Sequence, residues 1–293
     1  MACNQRHQPF GSKISFGVIH GVRDTVRVEI DSVARRQRDA KLVIAGVWEQ
    51  ANRKASRLSI PSRLPVLYLL FAHASLLLAA VVVAVDPVSV TGHFYHPLMS
   101  GVVHLVTLGW ISGSILSAVF IVGPSWLQMS MPIGRLDYWT FAFYAIGVTG
   151  IVSHFRIEQY SGMVWSAVMV VLAVLQVAWR VVCELFRAPI PRSVLLHMAL
   201  ACINLLAAGT LGVLIGADRE VDVVPGSAIA NVYAHAHLAG LGWATLMVMG
   251  VGHRLWTAVL PWATPPDGRG VVMSLLLVEL GVVRLMATLL LNG

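Results

Sequence analysis

YHPLMSGVVHLVTLGW spans Tyr95–Trp110, and YAHAHLAGLGW spans Tyr233–Trp243. Between them they carry His-Leu-x-x-Leu-Gly-Trp twice, with five of seven positions identical and His104 and His237 standing 133 residues apart. The second copy has an extra imidazole, His235, two residues upstream. Both copies lie in apolar runs, where an ionisable side chain is costly and reads as functional.

The surrounding chain explains what these runs are. It has 293 residues, is 57% hydrophobic and only 12% charged, with a mean hydropathy of +0.75. Soluble domains carry roughly twice that charge. The apolar runs are continuous and long enough to cross a bilayer as helices, without the alternation of barrel strands. The expected fold is therefore an all-α, polytopic transmembrane bundle. Seven spans are predicted, at about 64–85, 98–123, 137–155, 162–184, 193–216, 228–251 and 270–291. Loops are marked by Asp86-Pro87, Gly123-Pro124, Arg187 to Pro191, Asp218 to Pro225 and Pro261 to Gly268.

Residues 1–60 form a basic polar tail with weak periodicity, expected to be a solvated or interfacial cytoplasmic segment. Residues 61–293 form the transmembrane domain. Twelve of the 21 Lys and Arg precede or open the first span. With the N-terminus inside, 18 of the 21 fall inside, and the loop of Asp218, Glu220 and Asp222 falls outside. The charge thus reports orientation in a cytoplasmic membrane, not nucleic-acid binding. Cys3, Cys183 and Cys202 lack CxxC spacing, so neither a disulfide framework nor a zinc site is read. The polar start lacks the apolar stretch of a cleavable signal peptide.

On these spans the two copies of the repeat run in the same direction, on the second and sixth helices. At a rise of about 1.5 Å per residue, His104 sits about 9 Å and His237 about 13 Å below the outer face. Two imidazoles at similar depth can ligate one haem iron from its two sides. Gly109 and Gly242 let a helix or a macrocycle approach closely, and Trp110 and Trp243 offer aromatic surface to either. His235 and His237 are separated by about 200° around the helix axis, so one helix can face two centres.

The other ionisable groups have their own readings. Arg284, in the last span, is a candidate partner for a haem propionate; Glu279 is a candidate proton carrier or a buried hydrogen-bonding group. His73, His96, His154 and His197 are weaker ligand candidates, and His253 the weakest. Solvated or hydrogen-bonded histidine competes with ligation at each.

HLVTLGW on the second span and AHAHLAGLGW on a later one resemble the catalytic subunit (subunit I) of haem-copper oxidases, most closely its divergent short bacterial forms. The resemblance covers about residues 60–262 and includes DYWTFAFYAIGVTGIVSHF. It implies an arc of helices, with His104 and His237 on a low-spin b-type haem and His235 on a second, high-spin haem. It implies an oxidoreductase of the respiratory chain, electron transfer with binding or reduction of O2 or NO, and a periplasmic cytochrome or other electron-transfer subunit as partner. The copper ligands of that family include an adjacent His-His pair, and a tyrosine four residues after the remaining ligand. This chain has neither, and has seven spans instead of twelve or more. Copper carries over last, with His73, His154 and His197 as the histidines left to hold it. Three other readings remain: a non-enzymatic haem protein that senses or buffers nitric oxide, an electron-transfer subunit with low-spin haem alone, and a proton-coupled transporter.

Overall fold

The computed structural model describes residues 63–92, 96–260 and 268–292, all within one compact unit, Ile60–Gly293. The tail at 1–60, with His7 and His20, lies outside the described residues, as does His93. No strand occurs among the described residues. Seven helices are long and apolar enough to cross a membrane: α1 (Arg63–Val85), α3 (Pro97–Trp126), α4 (Arg135–Ile157), α5 (Tyr160–Leu185), α6 (Arg192–Ala217), α7 (Ala228–Trp256) and α8 (Gly268–Leu291). A short helix, α2 (Pro87–Gly92), lies where the sequence marks only a loop. Asp86 takes the role of its cap, accepting the Ser89 N–H at 3.1 Å.

Local chemistry sets the ends. Pro97 opens α3, and the His96 side chain accepts the Leu98 N–H at 3.2 Å, satisfying one of the helix's orphan donors. Asp137 accepts the Gly134 N–H at 2.7 Å at the start of α4. Glu158, in the left-handed region at φ 54°, ends that helix and turns the chain into α5.

Helices α4, α5, α6 and α7 pack successively, α1 lies on α3, and α8 lies on α6 and α7. Apolar side chains surround most helices, as the membrane demands, and the buried faces meet in one main core. Tyr68 of α1 is at its centre, ringed by Phe120, Phe141 and Tyr144 with ring centres 4.9–6.0 Å away. At one end, which carries Arg135, Arg180, Arg187 and Arg192, the Arg180 guanidinium pairs with buried Asp137 and donates to Pro132 O at 2.8 Å. Glu184 accepts the Ser130 N–H at 3.1 Å, so the loop before α4 is tied to α5.

The repeated motif has a backbone signature. Leu105–Ser112 in α3 and Leu238–Thr245 in α7 are π-helical, and each stretch starts on the residue after the motif histidine. Wide turns of this kind cluster at functional sites. They also leave carbonyls for neighbouring helices. The Tyr144 hydroxyl donates to Leu108 O at 2.6 Å, and Asn204 Nδ2 donates to Gly242 O at 3.3 Å. In a bilayer that supply of outside donors is required, because no water substitutes.

Candidate functional site

The two motif glycines are spent on helix contact. A Cβ on Gly109 would collide with the Ser75 side chain of α1, and a Cβ on Gly242 would lie 2.8 Å from Asn204 Cβ of α6. Of the two readings left open by the sequence, close helix approach is the one realised. Trp243 is buried, and its Nε1–H donates to Ser112 Oγ at 3.1 Å, joining the two π-helical stretches directly. These contacts fix how α3 and α7 are rotated against each other.

That rotation decides which imidazoles meet. The ring of His104 lies 6.3 Å from the ring of His235, centre to centre, with 22° between their planes. Each histidine is seven residues, about 10 Å of helical rise, from the start of its span, Pro97 or Ala228. The neighbour of His104 is thus the first histidine of the His-Ala-His motif, where the resemblance points to the second. His237 lies on a different face of α7, half-buried, its Nδ1 2.7 Å from its own helix at Tyr233 O.

Hydrogen bonds fix the tautomers of the pair. His104 Nδ1 lies 2.8 Å from Ser100 O, and His235 Nδ1 lies 2.9 Å from Ala208 O across on α6. A carbonyl only accepts, so each Nδ1 carries the proton and each Nε2 keeps a lone pair. This is how metal-ligating histidines are held. Helix α6 also shapes the seat of His235, since a Cβ on Gly212 would lie 2.9 Å from His235 Cε1. Phe155 closes the other side of His104, with ring centres 5.2 Å apart.

The spacing suits an axial pair. With a metal–nitrogen distance of about 2.0 Å and a ring centre about 1.1 Å behind the nitrogen, two imidazoles on opposite sides of one metal have centres about 6.2 Å apart. The donor type and the ring-centre separation match what a bis-histidine haem would require of two imidazoles.

The remaining candidates are dispersed. His73 is exposed on α1, with Nδ1 2.8 Å from Leu69 O. His154 has Nδ1 2.7 Å from Gly150 O and its Nε2 edge against Gly162 of α5. His197 is fully buried on α6, near the arginine-bearing end. Among the described residues, no three His, Cys, Asp or Glu side chains are grouped as a metal site, so these three do not form a copper triad. Arg284 is exposed on α8, and no contact joins it to the His104–His235 pair. Glu279 takes the hydrogen-bonding role, accepting from Asn204 Nδ2 at 3.0 Å.

Sequence reasoning missed Ser75, Asn204 and Ser112, the residues that orient the motif helices. Asn204 was visible as a lone amide in an apolar run, the usual sign of an interhelical hydrogen bond. Ser75 and Ser112 give no comparable signal. No family model matches this chain, and no curated protein or solved structure matches it either.

Proposed function

We propose that this chain is a haem-binding, redox-active membrane protein in which His104 of α3 and His235 of α7 would together hold a low-spin b-type haem. The observation that carries the reading is the pair of imidazoles, 6.3 Å apart, each with its Nδ1 proton committed to a carbonyl. Haem so held supplies one-electron redox chemistry.

The chain's own residues do the rest. Ser100 O and Ala208 O hold the two tautomers, so that both Nε2 lone pairs stay available without a proton being lost on binding. Phe155 and the backbone at Gly212 fix the planes of the two rings. His237, turned about 200° from His235, would be free to hold a second centre, which would supply binding of O2 or NO. By the charge distribution the pair belongs to the outer half of the membrane, within reach of a periplasmic electron donor.

The test is purification from haem-replete membranes with an optical spectrum and iron analysis. The expected result is a Soret band with sharp low-spin α and β bands and at least one iron per chain. A colourless, iron-free protein overturns the reading. It would favour a proton-coupled transporter instead, with the Asn204–Glu279 hydrogen bond between α6 and α8 as its polar element.

A further inference from the structure

A second pair of imidazoles lies at the arginine-bearing end of the bundle. His197, five residues into α6, and His253, three residues before the end of α7, have ring centres 5.3 Å apart and planes at 68°. A Cβ on Gly250, one turn before His253, would lie 2.8 Å from His197 Cβ, so that glycine permits the approach of the two helices.

His197 Nδ1 lies 2.8 Å from Ser193 O, so Nδ1 carries the proton and Nε2 presents a lone pair. Ser274 Oγ of α8 lies 3.5 Å from that nitrogen. The Ser274 hydroxyl donates to Val271 O at 2.8 Å, a far better geometry, and so it too turns a lone pair towards His197. His253 Nε2 is buried and has no hydrogen-bond partner. Two imidazoles and a hydroxyl from three helices thus meet here, one ring nitrogen is left unpartnered, and with the proton of His253 on Nδ1 all three would offer lone pairs to a cation.

The separation says what kind of cation. Imidazoles ligating one ion at a tetrahedral angle have ring centres about 5.1 Å apart, against about 6.2 Å for a trans pair. The observed 5.3 Å matches the bent arrangement and is too short for haem. Imidazole ligands suit Zn, Cu, Ni and Fe ions.

We propose that His197 and His253, with Ser274 Oγ beside them, form a binding site for a single borderline transition-metal ion such as Zn2+. The site uses none of the residues assigned to haem, so the two proposals fail independently. With only two strong ligands the affinity is expected to be modest, and water completes the coordination.

The test uses Zn2+ itself. Full-length protein in detergent is stripped with chelator, dialysed against Zn2+ and analysed for metal. His253→Ala, on the less buried partner, is expected to lose one Zn2+ per chain, or bind it about tenfold or more weakly, with its circular dichroism unchanged. His73→Ala, an exposed histidine outside the site, is expected to keep wild-type binding. If His253→Ala proves unstable, His253→Gln and Ser274→Ala replace it; the first should lose the ion and the second weaken it severalfold. Equal Zn2+ stoichiometry and affinity in wild type and a folded His253 variant overturn the proposal.

Discussion

The two histidine pairs differ in one dimension and in what surrounds them. The His104–His235 rings are 6.3 Å apart and 22° from parallel, and both Nδ1 protons go to carbonyls. The His197–His253 rings are 5.3 Å apart at 68°, and one of their nitrogens is buried without a partner. About 1 Å of separation divides a trans pair from a bent one. The lesson is that histidine count alone says little; the rotation of the carrying helices decides which chemistry two imidazoles can share. Each pair is held by a glycine contact, Gly212 beside His235 and Gly250 beside His197.

The largest effect on this contrast is expected at the arginine-bearing end. Arg180→Ala leaves the buried Asp137 carboxylate without its partner, and loss of a buried pair costs about 3–5 kcal/mol. Thermal unfolding in detergent should show it, with the loop at Pro132 released as well. Should stability be unchanged, that end is not anchored as described. Next is Gly109→Ala, which forces a methyl into Ser75; overpacking of this kind costs about 1–3 kcal/mol. Gly240→Ala, in the other π-helical stretch but with open space at its Cβ, is the control and should be neutral.

Gly212→Ala acts more locally. Its methyl would press on His235 Cε1 from 2.9 Å, so the haem bands should shift or broaden while the unfolding temperature moves little. A spectrum identical to wild type would detach α6 from the haem site. The smallest effect is in the loop between α6 and α7. There the Asp218 carboxylate accepts the N–H groups of Val224 and Val223, both at 2.8 Å, and is held below its usual pKa. A lowered folded pKa means that the loop's order is complete above the ordinary carboxylate pKa, about 4, and fades as pH falls through the lower folded value. The protection of the Val223 and Val224 amides, taken relative to intrinsic exchange at each pH, should fall below pH about 4 in the wild type and be already lost at neutral pH in Asp218→Ala.

Much of the fold was legible. Continuous apolar runs gave all seven spans to within about five residues, because bilayer thickness fixes their length. The repeat, and its placement on two like-directed helices, was also legible. The partner of His104 was not. Spacing shows that His235 and His237 face different ways, but which of them faces α3 depends on Gly242 against Asn204 and Trp243 against Ser112. Those are tertiary contacts with no local sequence cost. His253 looked weakest as a ligand for the same reason, since its significance lies in a neighbour 56 positions away, His197. The helix α2 was hidden because Asp-Pro marks a turn and a helix start equally well.

The central claim is that His235, not His237, shares a haem iron with His104. Optical spectra of His235→Ala and His237→Ala, purified side by side with circular dichroism to confirm folding, test it most directly. The account predicts that His235→Ala loses the low-spin bands while His237→Ala keeps them. Low-spin haem retained in His235→Ala and lost in His237→Ala would contradict it.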